Sequence, residues 1–276
     1  MHKVTFKESA SLAIPLMLSS LSGILMITID RIMLSHYDIM VMNAVAIVGL
    51  LLFAFEHAFS AITSMSEMMA GQFNGAQQYH KAPISTWQML ILSLLSTLIL
   101  IPMGWLIGPY IIPTEYFECG KDFFQILMTF LFMSPAFVAV AGFFIGTKQS
   151  KIVPIASIIS NIINIILNYF LIFGAGNYIQ PMGAKGAAIG TSISMAVQFL
   201  IVFLAFLSKK QHEKYNTRHY CFNFEVMVTT LKIGVPNSIS YMLHIIGGYA
   251  ITLIVVDTNK DLVTMHNICM NVLIFM

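Results

Sequence analysis

Apolar residues along this chain come in long runs that are separated by short polar segments. The first run, PLMLSSLSGILMITIDRIML from Pro15 to Leu34, has the roughly 20 residues that an α-helix needs to cross a bilayer. Runs of similar length recur along the rest of the sequence. The pattern predicts an all-α integral membrane protein with helices near 9–35, 43–69, 86–112, 121–146, 152–174, 184–208 and 232–256, and an eighth that begins near Leu262 and is cut off at Met276.

The longest polar segment, at 209–231, divides the chain. It predicts a six-helix N-terminal lobe at 1–208, an inter-lobe loop at 209–231, and the start of an incomplete C-terminal lobe at 232–276. The sequence LKIGVPNSISYMLHIIGGYAIT repeats the pattern of SLAIPLMLSSLSGILMIT, with a proline near the start of each helix. Six spans separate the two, which is a parallel repeat of the kind found in secondary transporters. Two unrelated apolar helices would also look alike.

Composition supports a membrane protein and excludes other classes. Of the 276 residues, 58% are hydrophobic and 9% are charged, whereas about a quarter of the residues of a soluble domain are charged. The net charge of +2 is small, and the sequence has no basic patch of the kind that a nucleic-acid partner would require. Three scattered cysteines form neither a disulfide framework nor a zinc motif. We expect a chain that contacts lipid, binds no nucleic acid and acts as a monomer.

Basic residues predict the orientation. Cytoplasmic loops carry an excess of Lys and Arg, so the side richer in them is expected to be cytoplasmic. We therefore expect a multi-pass protein of the cell membrane whose N-terminus and 209–231 segment are cytoplasmic. The richer side holds Lys3, Lys7, Lys81, Lys148, Lys151, Lys209, Lys210, Lys214, Arg218 and Lys232, and the other side holds Arg31, Lys121, Lys185 and Lys260.

Asp30 is the first candidate for function, because it is a carboxylate near the end of the first span. An ionisable group within a membrane helix costs about 2.5–3.5 kcal/mol on insertion scales and commonly marks a functional site. The alternative is an interfacial Asp30 that pairs with Arg31 or lies in the outer loop. Against that alternative, Ile32 and the residues up to Leu34 continue the apolar run.

The fifth and sixth spans carry polar and small faces. Helical spacing places Ser157, Asn161, Asn164 and Asn168 on one face of the fifth span. Asparagines at membrane depth must face protein or water, so this face predicts interhelical hydrogen bonds, a polar cavity, or both. In the sixth span Gly186, Gly190 and Ser194 recur every fourth residue. That spacing predicts close packing against another helix.

Other polar residues within spans are weaker candidates. Glu56 and His57 lie in the middle of the second span, where Glu56 is either a proton-titrating group or a residue that faces a polar lobe interior. The sequence around them lacks the HExxH spacing of a metalloprotease. His244, in the seventh span, is either a hydrogen-bonded core residue or a group that titrates near neutral pH.

Several of these stretches together resemble the multidrug and toxic compound extrusion (MATE) family. SEMMAGQFNGAQQYHKA resembles the family segment with an acidic residue, Gln and Gly-Ala, carried here by Glu67, Gln72, Gly75 and Ala76. GTKQSKIVP, the asparagine-rich fifth span and MGAKGAAIGTSIS resemble the region of the fourth to sixth helices. LKIGVP resembles the opening of the seventh helix. The resemblance covers essentially the whole chain.

The resemblance implies a twelve-helix, two-lobed antiporter that exports organic cations or other amphiphiles in exchange for H⁺ or Na⁺. It implies no enzyme activity and no cofactor besides the coupling ion. It places Asp30, Asn164 and Asn168 in a cation or proton site that could also hold Na⁺, and it leaves Glu56, Gln72 and His244 as possible substrate or coupling residues. Asn168 stands where some members have Asp, so one carboxylate replaces two, which is expected to weaken a bare Na⁺ site and is compatible with proton coupling. His244 stands where many members carry Glu, which casts doubt on carboxylate coupling in the second lobe.

Two alternatives to the antiporter stay open at this point. A lipid-linked oligosaccharide flippase of the same superfamily shares the repeat architecture, but its pyrophosphate substrate favours a cationic cavity, and Lys and Arg here lie mostly at helix ends. The chain is also shorter than twelve spans, so we expect either a fragment of a longer protein or a truncated gene product. A truncated product could lack transport activity altogether.

Overall fold

The computed structural model describes the backbone of residues 6–176, 178–220, 222–258 and 260–275, and the side chains of 14, 17–108, 110–176, 178–220, 222–256 and 262–269. In these residues helices account for nearly all regular structure, which confirms the all-α fold. The helices are α1 (Phe6–Tyr37), α2 (Ile39–Thr63), α3 (Met65–Gly75), α4 (Ala82–Leu95), α5 (Thr97–Pro102), α6 (Gly108–Ile111), α7 (Phe117–Phe130), α8 (Met133–Gly146), α9 (Ile152–Phe173), α10 (Gly183–Phe206), α11 (Lys209–Tyr215), α12 (Phe224–Thr258) and α13 (Lys260–Phe275).

Six helical stretches of the described chain are long and apolar enough to cross a membrane, and α7 with α8 makes a seventh if a bent pair counts as one span. The seven correspond to the seven predicted spans. Large apolar side chains lie exposed on their outer surfaces, among them Leu98, Leu204 and Ile254. Such a surface suits contact with lipid, since a soluble protein rarely exposes so much contiguous apolar area.

The first two spans lie closer together than predicted. We expected a polar loop around 36–42, but α1 runs to Tyr37 and α2 begins at Ile39. Asp38 alone joins the two helices, and its Oδ1 accepts a hydrogen bond from the Met40 backbone N–H at 2.6 Å. Because this side-chain cap satisfies a free amide of the first turn, α2 starts about one turn early.

The fourth predicted span is bent by 40° between α7 and α8. Pro135, in the first turn of α8, has no N–H to donate to the Leu131 carbonyl. That carbonyl accepts instead from the Ser134 N–H at 3.1 Å. This shorter-range hydrogen bond accompanies the break at 131–132, and Ser134 lies in the first turn of α8, directly after the break.

The segment predicted as the inter-lobe loop is partly helical. It contains α11 and the first two turns of α12, which begins at Phe224 and not near residue 232. Asn223 accounts for the early start, because its Oδ1 accepts from the Val226 N–H at 3.0 Å and caps the helix. The division into lobes and the cytoplasmic position of this segment stay predictions.

Two apolar clusters lie at opposite ends of the bundle. The first joins the end of α1 and the start of α2 to α7, through fully buried Leu34, Ile47 and Phe124. The second joins α4, α8 and α10, and includes Met89 and Phe143.

Small residues let neighbouring helices approach closely, as the sixth span predicted. A side chain at Gly186 would overlap the Leu171 backbone of α9, and Ser194 is buried. Gly142 and Gly146 make the same kind of contact between α8 and α3, where added Cβ atoms would lie against Ser66 and Glu67. The predicted packing role of the Gly186–Gly190–Ser194 face is therefore confirmed.

Candidate functional site

Asp30 lies within the long helix α1, about two turns before its end, and faces α9. Its Oδ1 accepts a hydrogen bond from Asn168 Nδ2 at 2.7 Å. Because α1 continues to Tyr37, the alternative of an Asp30 in an outer loop is wrong. The carboxylate belongs to the interior contact between two membrane-spanning helices.

Asn168 connects Asp30 to two further polar residues. Its Nδ2 also lies 3.2 Å from Asn164 Oδ1, and Asn164 Nδ2 donates to Thr191 Oγ1 at 3.2 Å. Both asparagines are fully buried. The result is a chain of hydrogen bonds that crosses from α1 through α9 to α10.

Asn168 Oδ1 is a buried oxygen without a hydrogen-bond partner among the described residues. A buried amide acceptor that stays unpaired costs about 1–3 kcal/mol, and such groups are rare in native structures. The oxygen faces α10, since a Cβ atom at Gly190 would overlap it, whereas Nδ2 of the same amide binds Asp30. The polar groups that meet at Asp30 are therefore amides and a hydroxyl, with one amide oxygen left unpaired among the described residues.

Gly190 makes room for this arrangement. A Cβ atom at Gly190 would overlap Asn168 Oδ1. Only glycine lets α10 approach the carboxamide at this point. The small residues of the sixth span thus make room for the polar side chains of the fifth.

The remaining polar residues of α9 bind α1 nearer its start. The Ser157 and Ser19 hydroxyls are hydrogen-bonded at 2.8 Å, and Asn161 Nδ2 donates to the Ser22 carbonyl at 2.8 Å and to the Ser22 hydroxyl. The predicted interhelical hydrogen bonds of this face are therefore confirmed. Ser157 and Asn161 bind α1 near its start, whereas Asn168 binds Asp30 and Asn164 binds Thr191.

A cavity of about 310 Å³ opens beside this site. This volume is at the lower end of the range for pockets that bind small molecules, about 300–1,000 Å³. Asp30 and Arg31 line it from α1, Glu56 lines it from α2, and Ser134 lines it from the start of α8. Much of the remaining wall is apolar, with Phe53 and other residues that include Met26, Leu127, Leu131 and Met133.

A family model for MatE matches residues 15–170, which is more than half of the chain. The chain belongs to the MATE family. Two relatives are the probable multidrug resistance protein NorM of Photorhabdus laumondii, 23% identical over 96% of this chain and 59% of its own length, and the multidrug export protein MepA of Staphylococcus haemolyticus, 26% identical over 90% of this chain and 55% of its own length.

Solved MATE structures share the fold. A crystal structure of a MATE protein in complex with MaL6 has a TM-score of 0.80 at 20% identity, and the match covers 97% of this chain and 61% of that chain. At this level of identity the likeness shows the fold alone. This MATE chain spans between 55% and 61% of the length of these three proteins.

Two residues that the MATE resemblance suggested lie outside the cavity. Gln72 is exposed near the end of α3, and His244 is exposed on α12. Neither lines the cavity that holds Asp30 and Glu56. Hydrogen bonds connect Asp30 with Asn168 and Asn164, and the cavity is lined by both Asp30 and Glu56, whereas Gln72 and His244 take part in neither arrangement.

Sequence reasoning missed Thr191 and Ser134. Thr191 follows Gly190 directly, so the small face of α10 was a signal that a polar neighbour would meet α9. Ser134 precedes Pro135, and a proline within a predicted span signals a break that can expose a side chain. No group of three or more His, Cys, Asp or Glu side chains that could hold a metal ion occurs among the described residues.

Proposed function

We propose that the chain is the ion-coupling part of an antiporter that exports organic cations or other amphiphiles in exchange for H⁺ or Na⁺. The observation that carries the proposal is the Asp30 carboxylate. It lines a mostly apolar cavity and accepts a hydrogen bond at 2.7 Å from buried Asn168. The names of the relatives, multidrug resistance and multidrug export proteins, support drug-like substrates. The proposal includes a cell membrane location with a cytoplasmic N-terminus.

In the proposed mechanism Asp30 exchanges its coupling ion as the protein alternates between the two sides. The ionised carboxylate accepts from Asn168 Nδ2, and a bound proton or Na⁺ would compete with that hydrogen bond. Ion binding thus changes the contacts between α1 and α9, and a changed position of α1 alters the cavity that it lines. A charge that crosses 100 mV supplies about 2.3 kcal/mol, which is enough for modest uphill export.

The charges of the cavity argue against the flippase alternative. Two carboxylates, Asp30 and Glu56, and one cation, Arg31, are the charged side chains that line it within the described residues. A pyrophosphate-bearing lipid carries negative charge, and like charges at such a site are unfavourable. The cavity therefore suits an organic cation better than a lipid pyrophosphate.

The test is gradient-driven efflux from membrane vesicles that contain the protein, measured with the fluorescent cation ethidium. We expect Asp30→Asn to abolish the response to an imposed pH or Na⁺ gradient, because the amide carries no exchangeable charge. Asp38→Asn is the matched control, since Asp38 is exposed and Asn caps a helix as well as Asp does. Unchanged gradient-driven efflux in Asp30→Asn would contradict the proposal.

A second experiment addresses the alternative of an inactive chain. Cells that produce residues 1–276 alone should become more resistant to ethidium if this length suffices for export. Equal sensitivity with and without the chain, at confirmed membrane expression, would favour the inactive alternative for this polypeptide.

A further inference from the structure

Glu56 is a cavity-lining carboxylate that the coupling mechanism does not use. It lies on α2, in the wall of the cavity that Asp30 lines from α1. Its side chain is half-buried within a continuous membrane span, Ile39–Gly75. A carboxylate at such a depth is costly and commonly marks a pathway or binding site for ions or substrates.

Ser134 fixes the orientation of this carboxylate. Its Oγ donates to Glu56 Oε1 at 2.5 Å. The bend between α7 and α8, just before Pro135, places the Ser134 hydroxyl beside Glu56, so this hydrogen bond depends on the bend. Oε2 has no hydrogen bond to any described residue, which leaves this oxygen for a ligand.

The charge of the cavity depends on Glu56. With all groups ionised, the lining carboxylates Asp30 and Glu56 and the guanidinium of Arg31 sum to one negative charge. Replacement of Glu56 by a neutral residue brings that sum to zero. The same holds for Asp30, and Glu56 is the carboxylate that the coupling mechanism leaves available as a counterion for an organic cation.

The wall around these charges suits the rest of such a molecule. Phe53 lies one turn before Glu56 on α2, and Leu131 and Met133 flank the bend beside Ser134. Aromatic and methionine side chains accommodate flat or irregular apolar groups, and an aromatic face also attracts a cation. The ligand class that fits is a lipophilic organic cation.

We propose that Glu56, oriented by Ser134, is the substrate-binding carboxylate of this cavity for lipophilic organic cations, distinct from the coupling carboxylate Asp30. The proposal rests on the export function proposed above, and it assigns the two carboxylates to different tasks. Asp30 accepts from a buried amide of α9, whereas Glu56 accepts from the Ser134 hydroxyl at the start of α8.

Two probes of similar shape and opposite charge test this assignment. Tetraphenylphosphonium and tetraphenylborate are titrated into the purified protein in detergent by isothermal calorimetry. We expect Glu56→Gln to weaken tetraphenylphosphonium binding about 10- to 100-fold, the range for a lost hydrogen bond or contact to a charged group, without weakening tetraphenylborate binding. Glu118→Gln is the matched control, because Glu118 is an exposed carboxylate outside the cavity lining and should leave both affinities unchanged.

Ser134 provides a second variant that keeps the charge. Ser134→Ala should weaken tetraphenylphosphonium binding less than Glu56→Gln does, and Ser134→Thr, which retains a hydroxyl, should restore it. Equal tetraphenylphosphonium affinity in wild type and Glu56→Gln would overturn the assignment, and so would an equal loss for both probes, which would indicate general damage.

The outcomes separate this proposal from the export function. A Glu56→Gln variant with the expected selective loss supports the assignment even if Asp30→Asn still couples to an ion gradient. A wild-type protein that binds neither probe would overturn the assignment together with cation export.

Discussion

Gly190→Ala would perturb the site at Asp30 without changing any polar residue. The added Cβ would overlap Asn168 Oδ1, so the carboxamide must rotate away and release Asp30. Overpacking costs about 1–3 kcal/mol, and loss of a hydrogen bond to a charged group costs about 1.5–3 kcal/mol. Alanine returns about 1 kcal/mol of helix propensity. We therefore expect a net loss of stability between about 1.5 and 5 kcal/mol.

Thermal unfolding of the purified variants, followed by intrinsic tryptophan fluorescence, measures this loss. Gly247→Ala is the matched control, because Gly247 lies within α12, and apart from its chain neighbours and the adjacent backbone of its own helix no atom lies within 4 Å of the added Cβ. The control should be neutral or slightly stabilising, since alanine is the better helix former. Gly190→Ala should also lose gradient-driven ethidium efflux, whereas Gly247→Ala should keep it.

A double-mutant cycle isolates the proposed cause. In an Asn168→Ala background the carboxamide is absent, so Gly190→Ala should cost much less than it does in the wild type. An equal loss of stability in both backgrounds would refute the reasoning, because it would show that the overlap with Asn168 is not what destabilises the variant.

Three further variants probe other contacts. Thr191→Val should lower the free energy of unfolding by about 1–3 kcal/mol and Thr191→Ser by almost nothing, because only valine leaves the Asn164 amide unpaired. Thermal unfolding of the two variants measures this difference. Asn223→Ala should destabilise the start of α12 by about 1 kcal/mol, because the helix loses its N-cap. Faster amide hydrogen exchange in the first turn of α12 would show this effect. Asn43→Ala should speed exchange in α13, since Asn43 accepts from Asn267 Nδ2 at 2.9 Å, and unchanged exchange would contradict that contact.

Much of the helical framework follows from the sequence alone, because membrane helices require long apolar runs. The errors lie at helix ends, where one side chain decides the boundary. Asp38 caps α2 and Asn223 caps α12, so both helices start earlier than their apolar runs indicate. Polar capping residues resemble loop residues in composition, and their effect depends on a single local hydrogen bond.

The site was only partly predictable, because some of its contacts depend on how neighbouring helices are rotated about their axes. The spacing of Asn164 and Asn168 places them on one face, and the MATE resemblance assigned them to Asp30. Contacts with Thr191 and Ser134 depend on how α10 and α8 rotate about their own axes and on the bend at Pro135. Periodicity within one helix carries no information about that rotation, so these partners appear only in the structure.

The most direct test of the central claim compares two modes of transport in the same Asp30→Asn vesicles. One mode is ethidium movement down its own concentration gradient, and the other is uphill movement driven by an imposed H⁺ or Na⁺ gradient. If Asp30 couples the ion to export, the variant should keep the first mode and lose the second, while Asp38→Asn keeps both. Uphill transport by Asp30→Asn at the wild-type rate would contradict the account.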